Sequence, residues 1–347
     1  MKGTLKFSFR PYTLQLRHVF TVAEMSRSTT PVMLTELEFN GVTGYGEASM
    51  PPYLGESHAT ATAFLSKVDF SKFDDPFQIE AIMAYVESIA PGNPAAKASV
   101  DLALHDLVGK LLKQPWFRIW GIDGHHLPDT TFTIGIDKPD VVRAKTIEAL
   151  AMPQKFKKLK VKLGKDNDKE MVETIRSVTD IPLTADPNNG WTDRGYSVEM
   201  AHYLKEKGFI FIEQPMSRDK PDDNAYVTAN SPIPILGDEG IQRVPDLVKA
   251  AEHGWYNGVV IKLMKTTGLR EAYTMVRLAK AFGFKTLFGC MTETSCGVSA
   301  AAQLVALFDW ADLDGNLLIA NDVYDGVHVV DGRLVLSDRP GLGIVKV

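Results

Sequence analysis

Short apolar runs alternate with amphipathic stretches through most of the chain. From residue 130 onward, the apolar runs have the length of β-strands, and stretches with apolar residues at helical spacing separate them. The runs are TTFTIGI, FKKLKVKLG, IPLTAD, GFIFIEQP, IPILGDE, YNGVVIKL, FKTLFGC and WADLDG. Eight strands with helical crossovers predict an eight-stranded β/α barrel. A doubly wound open sheet is the alternative, because strand count alone does not establish closure.

Residues 1 to about 125 follow a different pattern. The segments LKFSFRPYTLQL and VMLTELEFNGVTGYGEA alternate apolar and polar residues, which predicts antiparallel strands. KASVDLALHDLVGKLL has helical spacing, with Ser99 as the candidate N-cap. We therefore predict an α+β domain, joined to the barrel by the linker WGIDGHHLPDT. After the eighth strand, VHVVDGRLVL predicts a hairpin that turns at Asp331-Gly332, in a segment that we expect to return to the N-terminal domain.

The composition fits a soluble enzyme. The chain has 347 residues, is 45% hydrophobic and carries a net charge of −5 with both signs mixed, so neither nucleic acid nor an anionic membrane is an obvious partner. Its apolar stretches are well under the roughly 18 residues needed to span a bilayer, and the N-terminus lacks the apolar core of a signal peptide. The two cysteines, Cys290 and Cys296, make no disulfide framework. These features predict a cytoplasmic protein.

Charged residues end five of the predicted barrel strands. They recur at intervals of about 25 residues, the length of one strand–helix repeat, and are Lys162, Asp186, Glu213, Asp238 and Lys262. Parallel strands present their ends at the same rim, so we expect these side chains to meet. Three carboxylates without basic residues in their own segments would repel one another unless a cation lay between them. Because all three are oxygen ligands, Mg²⁺ is the predicted cation. No His or Cys joins the set, which argues against zinc.

The lysines predict acid–base chemistry. In KLKVKLG, Lys160 and Lys162 share one face of the strand, which should be the barrel interior because the other face is apolar. A lysine pair on a solvated edge strand is the alternative. Lys262 follows four strands later and should approach a bound substrate from the opposite side. A divalent ion would stabilise the enolate of a carboxylate, and Lys160 with the metal would favour the neutral form of Lys162 as base. Two bases on opposite faces can invert a stereocentre.

These motifs resemble the enolase superfamily, in particular its muconate-lactonising subgroup, over essentially the full length. The resemblance rests on K-x-K at Lys160 and Lys162, ADPNNGW, FIEQP, GDE, IKLMKTTG with Lys262, and DLDG. It implies a modified (β/α)7β barrel over residues 126–319. It also implies an α+β capping domain over residues 1–125, completed by segment 320–347. Two positions depart from the family pattern, Pro187 after the first acid and Thr267 where Gly is frequent.

Within the subgroup, the D-x-D pair of Asp312 and Asp314 is similar to that of the dipeptide epimerases, where it holds the substrate ammonium group. The resemblance implies L-Xaa-Xaa dipeptides, with L-Ala-D/L-Glu as the best-known class, one Mg²⁺ per subunit and a homo-oligomer. Thr133, Cys290 and Thr292 resemble positions that contact the substrate. Arg27, in a loop of the capping domain, could pair with a substrate side-chain carboxylate. Tyr53 could line the same lid.

Other functions remain open from the sequence. N-succinylamino acid racemase, o-succinylbenzoate synthase and muconate cycloisomerase share the expected fold, but their substrates lack a free ammonium group and leave Asp312 and Asp314 without a role. A catalytically silent metal-binding barrel would not require Lys162 and Lys262. A Schiff-base aldolase barrel would not explain the three carboxylates.

Overall fold

The computed structural model describes residues 3–23 and 25–347. It begins with a three-stranded antiparallel sheet of order β1-β2-β3, as the alternating pattern predicts. The strands are β1 (Lys6–Thr21), β2 (Ser26–Phe39) and β3 (Val42–Ser49). The helices that follow are α1 (His58–Leu65), α2 (Ile79–Ile89), α3 (Pro94–Leu112) and α4 (Trp116–Ile119). The tips of β1 and β2 extend beyond the sheet and reach the barrel.

Helix α3 packs closely against the sheet. Gly44 and Gly46 of β3 allow this approach, because an added Cβ would lie 2.2 Å from the Ala103 carbonyl oxygen or 2.0 Å from that of Ser99. The prediction that Ser99 is the N-cap is wrong, since the helix begins at Pro94 and the Ser99 hydroxyl donates to the Ala96 carbonyl inside it.

The N-terminus of α3 is capped by a distant side chain. The Glu56 carboxylate accepts from the backbone N–H groups of Ala95 at 2.8 Å and Ala96 at 3.1 Å. This places the cap about 40 residues upstream of the helix, outside any local capping pattern.

Eight parallel strands form the second sheet, in sequence order around the ring. They are β4 (Phe132–Ile134), β5 (Leu159–Lys162), β6 (Leu183–Asp186), β7 (Phe209–Glu213), β8 (Ile235–Gly237), β9 (Gly258–Ile261), β10 (Lys285–Gly289) and β11 (Trp310–Asp312). The connecting helices are α5 (Pro139–Ala151), α6 (Asp168–Arg176), α7 (Arg194–Glu206), α8 (Pro221–Asn230), α9 (Val244–His253), α10 (Leu269–Ala281) and α11 (Ser295–Ala302). A parallel bridge between Thr130 and Ala311 joins the first and last strands, so the sheet is a barrel and not an open doubly wound sheet.

An apolar cluster lies in the barrel interior and contains Phe211, Leu236, Val260 and Leu287. Because side chains alternate along a strand, the residue two positions after an inward-facing residue also faces inward. Glu213, Asp238 and Lys262 therefore lie directly above apolar partners on their own strands. The charged side chains therefore form a layer inside the barrel at the carboxyl ends of the strands.

The C-terminal segment contacts both parts of the molecule. It contains β12 (Tyr324–Asp325), β13 (His328–Val330), β14 (Arg333–Val335) and β15 (Val345–Lys346). The predicted hairpin is confirmed, with φ of 49° at Asp331 and 76° at Gly332. Contrary to expectation, this hairpin lies against the barrel, where the Thr130 N–H donates to the Gly332 carbonyl at 2.9 Å.

Beyond the hairpin, the chain reaches α3, where the Leu342 N–H donates to Asp106 at 2.9 Å. The division of the chain at residues 125 and 319 stays a prediction. In the described part of the chain, every helix is too short or too polar to span a membrane.

Candidate active site

A cavity of about 370 Å³ opens at the carboxyl ends of the barrel strands, beneath the tips of β1 and β2. Its wall brings together residues from the barrel and from the N-terminal sheet. Of the residues expected at the site, the wall contains Arg27, Tyr53, Thr133, Lys160, Lys162, Lys262, Cys290, Thr292, Asp312 and Asp314. The three expected metal ligands lie below this wall, covered by the lysines.

Lys160 is surrounded by carboxylates. Its ammonium group lies 2.7 Å from Asp312 Oδ2, 2.8 Å from Glu213 Oε2 and 3.0 Å from Asp186 Oδ2. Burial alone would lower the pKa of Lys160, but these negative charges outweigh it and raise the pKa well above its ordinary value. Lys160 is therefore a fixed cation at the floor of the cavity. The alternative of a solvated lysine pair is wrong, because Lys160 is 3% and Lys162 6% exposed.

The other two lysines face each other across the barrel, since β5 and β9 are four strands apart in the ring of eight. Lys162 Nζ donates to Asp186 Oδ2 at 2.5 Å and to Asn188 Oδ1 at 3.0 Å. Lys262 Nζ donates to Asp238 Oδ2 at 2.7 Å. Burial would lower the pKa of Lys262, but Asp238 and the other nearby carboxylates raise it well above its usual range.

The carboxylates of Asp186, Glu213 and Asp238 are fully buried at the ends of three adjacent strands. Burial would raise the pKa of Asp186, yet Lys162 and Lys160 hold it below its usual range. Lys262 and Lys265 do the same for Asp238. Burial and the charge of Asp186 instead raise the pKa of Glu213 to about 8.

The donor set fits a hard divalent cation, although the side chains are not arranged around one. Among the residues with described positions, no group of three or more His, Cys, Asp or Glu side chains stands as a ready ligand set. The physical reason is that ammonium groups of neighbouring lysines occupy the carboxylates. Glu213 Oε1 is nevertheless buried without a hydrogen-bond partner, and all the available donors are oxygens. Lys262 Nζ lies 3.6 Å from this oxygen, too far for a hydrogen bond, so the oxygen is a suitable metal ligand.

Lys265 belongs to the site and was missed by the sequence analysis. Its ammonium group donates to the carbonyl oxygens of Asp238 at 2.7 Å, Val260 at 3.0 Å and Ile241 at 3.1 Å, and it also contacts Asp238 Oδ1. It lies three residues after Lys262 in IKLMK, beyond the end of the strand, so strand alternation gives no indication of its direction. Its role is to hold the Asp238 carboxylate.

Asp312 and Asp314 both line the cavity, but their environments differ. Asp312 contacts Lys160 and accepts from the Thr131 hydroxyl at 2.5 Å, and although burial would raise its pKa, Lys160 keeps the pKa below the usual range. Asp314 accepts from the Thr133 N–H at 2.8 Å. Burial and the charge of Asp312 raise the pKa of Asp314 to about 7. Asp312 therefore already has a cationic partner, whereas no cation contacts Asp314 within the described residues.

The N-terminal sheet closes the cavity from above. Arg27 Nη2 donates to the Thr292 hydroxyl at 3.2 Å, and Thr30 and Thr292 share a hydroxyl hydrogen bond of 2.6 Å. Tyr53 donates to the sulfur of Met291 at 2.8 Å. Burial lowers the pKa of Arg27, a shift that still leaves a strong base. The cavity thus has a guanidinium group at its roof and carboxylates at one wall.

Comparisons with known proteins agree with this architecture. The family model "Enolase C-terminal domain-like" matches residues 143–345, and "Mandelate racemase / muconate lactonizing enzyme, N-terminal domain" matches residues 9–121. The chain belongs to the enolase superfamily. It is 58% identical over 345 residues to the L-Ala-D/L-Glu epimerase of Bacteroides thetaiotaomicron, covering 99% of this chain and 89% of the relative.

Solved structures of this superfamily share the fold throughout. The dipeptide epimerase of Enterococcus faecalis V583, complexed with Mg and the dipeptide L-Leu-L-Tyr, has a TM-score of 0.91 at 30% identity and covers 99% of both chains. The N-succinyl Arg/Lys racemase of Bacillus cereus has a TM-score of 0.91 at 27% identity, covering 100% of this chain and 96% of the racemase. Fold similarity alone therefore does not separate the two activities, and the site must do so.

Proposed function

We propose that the protein is an Mg²⁺-dependent dipeptide epimerase that inverts the α-carbon of the C-terminal residue of L-Xaa-Xaa dipeptides, with L-Ala-D/L-Glu as substrate. The observation that carries this proposal is the pair of lysines facing each other across a cavity whose wall also holds Asp314, a buried carboxylate. Similarity to the Bacteroides epimerase supports the same substrate class.

The two lysines exchange the α-proton from opposite sides. For one configuration, Lys162 takes the proton and Lys262 donates another to the opposite face, and for the other configuration the roles reverse. Mg²⁺ held by Asp186, Glu213 and Asp238 would supply positive charge beside the substrate carboxylate, where negative charge develops as the proton leaves. Lys160 adds a fixed positive charge at the floor.

Substrate orientation comes from the cavity wall. Asp314 binds the substrate ammonium group, with Asp312 contributing to the negative potential while it holds Lys160. Arg27 pairs with the side-chain carboxylate of a C-terminal Glu residue. Thr133, Cys290 and Thr292 contact the dipeptide between these charged ends. One Mg²⁺ per subunit and assembly into a homo-oligomer are expectations carried over from the family resemblance.

A screen of L-Xaa-L-Xaa dipeptides in D₂O tests the proposal. Deuterium should appear at the α-carbon of the C-terminal residue, most rapidly for L-Ala-L-Glu, and both configurations should form. N-acetylation of the dipeptide should slow turnover because it removes the ammonium group. Faster turnover of N-succinyl or N-acetyl amino acids than of free dipeptides would reject the epimerase in favour of a racemase.

A further inference from the structure

Helices α10 and α11 follow strands β9 and β10, which lead into residues of the candidate site. Both helices are capped by carboxylates of the N-terminal domain. Helix α10 begins at Leu269, and its N-cap residue is Gly268, which has no side chain to act as a cap. Asp101 of α3 takes this role, because its Oδ1 accepts from the Leu269 N–H at 2.6 Å. The approach is close, since an added Cβ on Gly268 would lie 2.3 Å from the same oxygen.

Helix α11 has a similar cap from β3. The Glu47 carboxylate accepts from the Thr294 N–H at 2.9 and 3.1 Å, from the Thr294 hydroxyl, and from the Gly297 N–H at 3.4 Å. Two residues later, the Ser49 hydroxyl donates to the Thr292 carbonyl at 2.7 Å. Strand β3 therefore fixes both the helix and the loop that leads into it.

These caps act on short loops that begin at site residues. Between Lys262 and α10, the Lys265 N–H donates to the Lys262 carbonyl at 3.0 Å, and the Gly268 N–H donates to the Leu263 carbonyl at 3.0 Å. The loop is thus a compact turn that links Leu269 to Lys262. On the next strand, Cys290 and Thr292 lie a few residues before the Glu47 cap.

Lys162 is supported differently. The loop after β5 is held by Asp168, whose carboxylate accepts from the N–H groups of Gly164 at 2.9 Å and Lys165 at 3.0 Å. Asp168 belongs to α6 of the barrel itself. The loop after Lys162 is therefore held from within the barrel, although the Lys162 ammonium group also lies 6.0 Å from the centroid of the Phe20 ring of β1. The turn after Lys262, in contrast, is held by a side chain of the N-terminal domain.

We propose that Asp101 and Glu47 are positioning residues of the epimerisation site, an inference that rests on the proposed function. Asp101 sets the position of Lys262 through the turn before α10, and Glu47 sets the position of the substrate-contacting loop at Thr292. A helix cap thereby couples docking of the N-terminal domain to the Lys262 face, whereas the corresponding cap on the Lys162 face lies within the barrel.

Ser57 provides a control. Like Glu47 and Asp101, it accepts from a backbone N–H group at a helix N-terminus, that of Thr60 at 3.3 Å, but the helix that it caps is α1, which carries neither Asp101 nor Glu47. Ser57→Ala should lower the melting temperature by removing this cap. It should leave the balance between the two proton-transfer faces unchanged.

The experiment measures α-deuterium exchange separately for the two configurations of the C-terminal residue, well below the melting temperature of each variant. Lys162→Ala and Lys262→Ala define which configuration each lysine serves. Asp101→Ala should slow Lys262-dependent exchange by roughly tenfold or more while Lys162-dependent exchange changes by less than about twofold, because small misplacements of a base are costly. Asp101→Asn keeps an acceptor oxygen and should restore most of the rate. Glu47→Ala should raise KM more than it lowers kcat.

Gly268→Ala tests the same turn if Asp101→Ala does not fold, since its Cβ would lie 2.3 Å from the Asp101 oxygen and the φ of 114° at this position is strained for Ala. Equal loss of both exchange rates, or a change in their ratio as large in Ser57→Ala, would reject the positioning role alone. Absence of exchange from any dipeptide in the unaltered protein would instead reject the proposed function, and this inference with it.

Discussion

At the scale of single residues, the site differs from a symmetrical pair of bases. Lys262 is held as an ammonium group by Asp238, and Lys160 is held in the same way by three carboxylates. Lys162 contacts Asp186 and the amide oxygen of Asn188, so it has one neutral partner. The two proton-transfer groups therefore have different hydrogen-bond partners on the two sides of the cavity.

Removal of either lysine tests the two-base mechanism. Lys162→Ala and Lys262→Ala should each abolish epimerisation, because each leaves only one face with a proton-transfer group. Either variant should still exchange deuterium into the configuration served by its remaining lysine, as mass spectrometry of the recovered dipeptide would measure. Lys285→Ala is a suitable control, since this lysine is exposed at the opposite end of strand β10. Full epimerisation by either site variant would contradict the mechanism.

Protonation of Asp314 should set the acidic limb of the pH profile. Burial and the charge of Asp312 raise the pKa of Asp314 to about 7, and only the ionised form attracts an ammonium group. We expect kcat/KM for L-Ala-L-Glu to fall as the pH drops below about 7 and to level off above it.

Asp314→Asn should remove this limb and lower kcat/KM roughly ten- to a hundredfold, the value of a charge-assisted contact. The amide oxygen of Asn can still accept from Thr133, so circular dichroism should be unchanged. A limb that persists unaltered in the variant would assign it to another group.

The site residues that could be predicted from the sequence are those whose direction follows from the alternation of side chains along a strand. Lys160, Lys162 and the three carboxylates follow from inward-facing positions on strands with apolar partners, and the structure brings them together. Lys265, Asn188 and Glu47 were not found, because they lie on loops or on another domain and their directions depend on tertiary contacts. Periodicity carries no information about such residues.

At the scale of elements, the turn before α10 contains local strain. Thr267 has a φ of 56°, in the left-handed region that β-branched residues rarely adopt. The same position was noted in the sequence as one where the family often has Gly. Its side chain is buried, and its hydroxyl donates to Glu271 at 3.4 Å and also interacts with Glu87, contacts that offset part of the strain.

Thr267→Gly should therefore stabilise the folded state. Relief of the left-handed conformation contributes about 1–2 kcal/mol, and the greater backbone entropy of Gly in the unfolded chain costs about 0.5–1 kcal/mol. We expect a net gain of about 0.5–1 kcal/mol in the free energy of unfolding, measured by denaturant titration. Thr266→Gly is the control, since Thr266 is not among the residues with positive φ and should lose stability. A lower stability of Thr267→Gly would show that the turn requires the side chain.

The elements themselves were predictable to different degrees. Each barrel strand is a short apolar run with a polar end, a local pattern, and all eight were identified. The start of α3 was wrongly assigned because its cap is Glu56, far along the chain, and Ser99 satisfies its hydroxyl inside the helix. The prediction of a barrel is confirmed, but strand count left the open sheet as an alternative because closure depends on pairing between segments about 180 residues apart.

At the scale of the whole molecule, metal binding should couple to folding. Asp186, Glu213 and Asp238 come from adjacent strands, so an ion that they share ties three strand–helix units together. We expect Mg²⁺ to raise the melting temperature and EDTA to lower it and eliminate activity. At an ion concentration of 100 times Kd, the stabilisation would be about 2.7 kcal/mol.

Glu213→Gln gives a control for this effect. The amide oxygen of Gln can still accept from Lys160, and the variant removes a buried acid beside Asp186. Its melting temperature without metal should be equal to or above that of the unaltered protein, while the shift on addition of Mg²⁺ should disappear. Undiminished turnover in EDTA would reject the metal site.

The bridge between Thr130 and Ala311 has a consequence for how such a barrel can change its specificity. At this junction, hydrogen bonds that involve side chains join the first and last strands. The Thr131 hydroxyl donates to Asp312, the Thr133 N–H donates to Asp314, and the Leu313 N–H donates to the Thr130 hydroxyl at 2.9 Å. A substitution of Asp312 or Asp314 that let an ancestral chain accept a new substrate would also have removed a hydrogen bond between the first and last strands. New activities at this wall should therefore arise only in sequences whose free energy of unfolding exceeds what folding requires. Hydrogen exchange of the Thr133 amide would measure the local stability of this junction.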